Sequence, residues 1–172
     1  MCSRERRVFK ASPCRARHTS PALGRKQEMP RILGLNPLAV LVAGFALWMV
    51  GFVFYGVLFA QLWIGLWGFT DADLAAAEAV AGPAMAAGFA LSIIFAGFLS
   101  YALKALKADG MTSAVKWALF LWAGFVVTTM AYDIIYALQP IMLLLLDASH
   151  NLVGFIVMAL ILTALDKVAV KD

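Results

Sequence analysis

Four apolar runs of about twenty residues or more, separated by short polar breaks, constrain this chain more than any other feature. A helix crosses a hydrocarbon core of about 30 Å with roughly 20 apolar residues, because each residue rises 1.5 Å and the backbone polar groups must be satisfied within the helix. The first run opens at Asn36-Pro37, an N-cap residue followed by a proline suited to the first helical position, and stays apolar to Leu66. It exceeds the length of a crossing and is expected to tilt or to end in the interface. The second covers residues 83–106, the third 114–136 and the fourth 141–165. Composition agrees: 63% of residues are hydrophobic and 14% charged, where soluble domains carry about 25% charged. Too little polar surface is left for a separate soluble catalytic domain.

Residues 147–151, Asp-Ala-Ser-His-Asn, interrupt the fourth run. Beyond them, Leu152 to Leu165 would give roughly 21 Å of helix, too short to span, so this polar segment is expected within the membrane. A central Asp costs roughly 2.5 to 3.5 kcal/mol on insertion scales, and flanking Leu, Ile and Val offset it at roughly 0.3 to 0.6 each.

Lysine and arginine set the orientation. Nine of the 14 precede the first run: Arg4, Arg6, Arg7, Lys10, Arg15, Arg17, Arg25, Lys26 and Arg31. The next loop carries Asp71, Asp73 and Glu78 and no base, the following one Lys104, Lys107 and Lys116, the third none, and the tail Lys167 and Lys171. This alternation predicts four spans with both termini cytoplasmic, in a bacterial inner membrane. The net charge of +4 is then a topology signal and not a nucleic-acid footprint.

Residues 1–34 read as a disordered basic arm, broken by Pro13 and Pro21. The arm lies near anionic headgroups or upstream of a true start at Met29, and its arginine-rich, acid-poor composition also resembles an organellar transit peptide, a reading that Glu5 and Glu28 weaken. The membrane domain covers 35–166 and a cytoplasmic tail 167–172. Both cysteines, Cys2 and Cys14, fall in the arm, so no thiolate metal site or disulfide framework is expected in the folded part. Residues 70–83, with capping candidates Thr70 and Asp71 and a Gly82-Pro83 stop, read as a short external helix between the first two spans.

Contact between helices in lipid depends on close backbone approach and a few polar groups. In the second span Ala84, Gly88, Ser92, Ala96 and Ser100 recur every four residues, a ladder suited to a right-handed crossing or to a homo-oligomer. In the first span Gly44, Gly51 and Tyr55 share a face with Trp48. Leu-x-Ala-Gly-Phe occurs at 41–45 and again at 121–125, a pattern open to duplication of a two-helix unit or to chance.

Asp133 in the third span and Asp147, His150 and Asn151 in the fourth raise the question of function. Positions 147, 150, 151 and 154 share one helix face, which should turn inward. Asp147 would lie roughly 9 Å and His150 roughly 14 Å from the outer end, and Asp133, Thr128 and Thr129 at overlapping depths on the third span. One polar cluster between the third and fourth spans is therefore expected. Such groups carry a proton or a cation, or they fix helix register; Asp133 alone fits a solvated headgroup position. One histidine and no cysteine in the membrane part give no zinc set and no bis-histidine haem, and neither a Ser-His-Asp motif nor a glycine-rich phosphate loop occurs. No cofactor is expected.

Asn36-Pro37-Leu38-Ala39-Val40, Tyr55 followed by Phe59 and Trp63, Trp122-Ala123-Gly124-Phe125, and Leu146-Asp147-Ala148 followed by Asn151-Leu152-Val153 carry a family likeness. Over about residues 35–165 the chain resembles the bacterial family called domain of unknown function 1761. It departs from that pattern at Phe54-Tyr55-Gly56, where Trp-Tyr and then a proline are more usual, and at His150, where an aromatic is usual. The resemblance implies a small integral membrane protein of four helices and carries no activity.

The first expectation is therefore an all-α, four-transmembrane-helix bundle acting as a packing or accessory membrane subunit. Its partners would be the lipid bilayer and a second copy or another membrane protein, with no nucleic acid. The alternative is a small transporter or proton/ion conductor using the intramembrane Asp-His cluster. An intramembrane enzyme ranks third.

Overall fold

The structure, a computed structural model, describes residues 34–168, with side chains through residue 166. The basic arm and the tail therefore lie almost wholly outside the described residues. Within them the chain is helical, in the order α1 (Pro37–Gly51), a π-helical segment (Phe52–Leu58), α2 (Ala60–Trp67), α3 (Asp71–Ala79), α4 (Ala81–Ala105), α5 (Gly110–Leu121), a second π-helical segment (Trp122–Val127), α6 (Thr128–Tyr136) and α7 (Ile141–Val168). Four helical stretches, Pro37–Leu58, Ala81–Ala105, Gly110–Tyr136 and Ile141–Asp166, are long and apolar enough to cross a membrane. This is a multi-pass membrane protein.

Local rules place the start of the first span as expected. The Asn36 side chain accepts from the backbone of Leu38 at 3.1 Å and of Ala39 at 3.4 Å, with Pro37 at the first helical position. The Asn36 amide also donates to the Leu165 carbonyl at 3.4 Å, tying the first span to the end of the fourth.

Three boundaries differ from the sequence reading. The first run does not continue as one helix to Leu66: Phe59, at φ −124° and ψ 18°, breaks it, and α2 follows as a separate helix ended by Gly68 at φ 69°. Gly82-Pro83 is no stop, because α3 ends at Val80 and Pro83 sits in the first turn of α4, where a missing N–H has no intrahelical acceptor to lose. The third span begins at Gly110, four residues before the expected Ala114; Lys116, one of the expected loop bases, lies within α5, and Lys104 in the last turn of α4.

In the bundle α1 packs between α4 and α7, and α7 between α1 and α5. The core is small-residue rich and lies towards the end that holds Asn36: Ala39, Ala43 and Leu47 meet Ala96, Leu99 and Leu103, Ala114 and Ala118, and Phe155, Met158, Ala159 and Leu162. Gly44 lets α1 and α4 approach so closely that an added Cβ would stand 2.7 Å from the Ile93 Cα. The ladder residues Ala96 and Ser100 are buried within the chain, Gly88 and Ser92 half-buried, and Ala84 exposed. The two Leu-x-Ala-Gly-Phe copies are not equivalent. Residues 41–45 lie in regular α-helix, whereas 121–125 run into the second π-helical segment, where Gly124 has open space.

Candidate functional site

The other half of the bundle is built differently. Neither π-helical segment, nor α2, α3 or α6, contributes a buried residue, and here the polar groups collect. A π turn carries more residues than an α turn, so it rotates the next stretch of helix away from the face set by a 3.6-residue period. In the first span, which packs against both helices, Gly44 and Trp48 face α4, at Ile93 and Gly88, while Gly51 and Tyr55 face α7.

Tyr55 is the hub. Its hydroxyl donates to the Asp147 carboxylate at 2.7 Å, and its ring lies 4.9 Å from that of His150. The Phe54 ring lies 5.6 Å from the same imidazole, and a Cβ on Gly51 would stand 3.3 Å from His150 Nε2, so the missing side chain makes room for the ring. After the break at Phe59, α2 brings Trp63 to 5.5 Å from Tyr55. Both His150 ring nitrogens are buried and have no hydrogen-bond partner among the described residues. Leaving a buried polar group unsatisfied costs about 1–3 kcal/mol, so this placement is held against its own energetics by the packing around it.

Of the expected site residues, Asp147 and His150 come together, with Gly154 on the same face packed against Leu47. Asn151 lies beside them, but its amide donates to the Asp147 backbone carbonyl at 2.8 Å and serves its own helix. Asp133 is exposed. Thr128 is exposed and donates to the Gly124 carbonyl at 2.6 Å, as Thr129 does to that of Phe125 at 2.5 Å; both satisfy carbonyls of the π-helical segment. The third span thus supplies no side-chain bond to the Asp147 carboxylate. Its contact is Trp122, whose Nε1 donates to the Ala148 carbonyl at 3.0 Å. Sequence reasoning placed Tyr55 on the face of Gly51 without matching it to Asp147, since nothing in one sequence pairs the first span with the fourth.

Among the described residues no group of three or more His, Cys, Asp or Glu converges as a metal site. Chemically the arrangement offers a carboxylate bonded to a phenol, with an imidazole packed against the phenol ring and bonded to neither, groups able to accept or release a proton.

The family model of Protein of unknown function (DUF1761) matches residues 38–163, from the first turn of α1 almost to the end of α7. The chain belongs to this family. The DUF1761 match takes in Tyr55, Trp63, Asp147 and His150, so the site lies inside the family domain and not in an appended segment. No curated protein and no solved structure matches the chain.

Proposed function

We propose that this DUF1761 protein is a small transporter or proton/ion conductor whose intramembrane Tyr55–Asp147–His150 site takes up and releases a proton or holds a cation. The observation that supports it is the incomplete bonding of the site. A carboxylate with one side-chain donor and an imidazole with none sit inside apolar spans, although a role in register alone would be served by a fully bonded pair. The Ala-rich packing at the opposite end provides the rigid half against which α2 and the π-helical segments can adjust.

The orientation proposed is both termini in the cytoplasm, in a bacterial inner membrane. Lys104 and Lys107 lie at the Asn36 end of the bundle, while Asp71, Asp73 and Glu78 fall in and around α3 between the first two spans. α3 is then external.

Full-length protein reconstituted into vesicles under an imposed pH gradient tests the function. Proton flux, alone or coupled to added Na⁺ or K⁺, is expected and is abolished by Asp147→Asn. Flux equal to that of protein-free vesicles, or unchanged in the variant, contradicts it. The packing-subunit reading keeps one point in its favour, the exposed Ala84 at the outer end of the ladder. It predicts that Gly88→Leu lowers the oligomer size while Asp147→Asn leaves function intact.

A further inference from the structure

At the end of the bundle opposite Tyr55, a pocket of about 510 Å³ opens between the last turn of α4, the turn leading into α5 and the last turns of α7. Its walls combine apolar Leu103 and Leu162 with Lys104, Lys107, Asp109 and Asp166. Lys104 is already engaged: its Nζ lies 3.0 Å from Asp166 Oδ2 and donates to the Gly34 carbonyl at 2.6 Å. Asp166 is not saturated, because Oδ1 is buried without a hydrogen-bond partner among the described residues. Oδ1 is closed to the pocket, but the Asp166 side chain is 30% exposed, and Oδ2 keeps a second lone pair beside Lys104 that can meet another cation. Lys107 and Asp109 are exposed at the mouth.

Two properties restrict the ligand. The pocket lies where the apolar spans end, at headgroup level, so an amphiphile can place its polar end there and its chains in the surrounding lipid. The walls also present lysines and aspartates side by side, so a ligand carrying both charges a few atoms apart can satisfy both kinds of wall. We infer that this pocket binds a zwitterionic aminophospholipid headgroup, its ammonium on Asp166 and Asp109 and its phosphate on Lys107. The site stands apart from Asp147 and does not depend on proton transfer there.

The test uses purified full-length protein stripped of lipid in detergent and offered phosphatidylethanolamine, phosphatidylcholine or phosphatidylglycerol with identical acyl chains, with bound lipid counted by native mass spectrometry. Phosphatidylethanolamine is expected to bind roughly tenfold more tightly than the other two, since a trimethylammonium cannot donate to a carboxylate and a glycerol headgroup brings no cation. Asp166→Asn should remove that preference, and so should Lys107→Ala, which changes an exposed side chain and leaves the Lys104–Asp166 pair in place. Equal binding of the three lipids, or a preference that survives both substitutions, overturns the assignment. Competition by free O-phosphoethanolamine as effective as by the lipid would make the ligand a soluble one and overturn the lipid reading.

Discussion

The Tyr55 hydroxyl and the Asp147 carboxylate, 92 residues apart in sequence, meet at 2.7 Å between the first and fourth spans. This bond joins the π-helical segment, which buries no residue, to α7, so its loss should register in stability as well as in function. Side-chain hydrogen bonds between membrane helices are worth about 0.6 kcal/mol on average and up to about 2. A double-mutant cycle of Tyr55→Phe and Asp147→Asn, read by unfolding in detergent, is expected to show a coupling in that range. Strict additivity would mean that the pair does not interact in the membrane protein.

Glycine substitutions should separate close backbone approach from open space. Gly44→Ala drives a methyl group against the Ile93 backbone at 2.7 Å and should destabilise by roughly 1–3 kcal/mol. Gly154→Ala meets only the tip of Leu47, which can turn aside, and should lose less. At Gly124 a Cβ meets nothing within 4 Å, so Gly124→Ala is expected to be neutral or stabilising. Thermal unfolding of the three variants ranks them; equal losses would deny the α1–α4 contact its special closeness.

Asn36→Ala removes both the cap of α1 and the bond to Leu165, and should destabilise by roughly 1–2 kcal/mol. Asn36→Asp keeps the capping oxygen and loses only the amide donor, so its stability should fall between those of the wild type and the alanine variant. Chemical denaturation in mixed micelles measures the order, and an aspartate variant as unstable as the alanine one would show that capping is not the main contribution.

The cap of α3 makes a pH prediction. Thr70 donates to the Asp73 carboxylate through its hydroxyl at 2.6 Å and its backbone N–H at 2.9 Å, and these bonds hold the carboxyl below its ordinary value of 3.8. A carboxyl depressed on folding stabilises fully above its unfolded value, and that contribution is lost as pH falls through the folded value. Carbon-detected NMR titration should find Asp73 below 3.8, with α3 order lost only at lower pH, and Thr70→Val should return Asp73 towards 3.8. An unchanged titration in the variant would contradict the capping box.

The spans, the Asn36 cap and the Thr70 cap were legible in the sequence because each rests on residues within one helix turn or on a run of apolar residues. The inward face of Asp147 and His150 was legible for the same reason, through i, i+3 spacing. Pro83 misled, since a proline after glycine marks a stop or a first turn equally well. The partner of Asp147 was out of reach. Neighbouring spans are the natural guess for a short turn such as Leu138-Gln139-Pro140, but α1 packs on α7, and no pattern within one span says which other span its Gly51–Tyr55 face meets.

The most direct test is infrared difference spectroscopy of the full chain in lipid, recorded between acidic and alkaline buffer, because it follows a single carboxyl as it gains or loses its proton. A protonated-carboxyl band that is absent in Asp147→Asn and displaced in Tyr55→Phe is the predicted result. Spectra identical in the wild type and Asp147→Asn would show that Asp147 exchanges no proton with the medium, and would contradict the proton-carrying role assigned to this site.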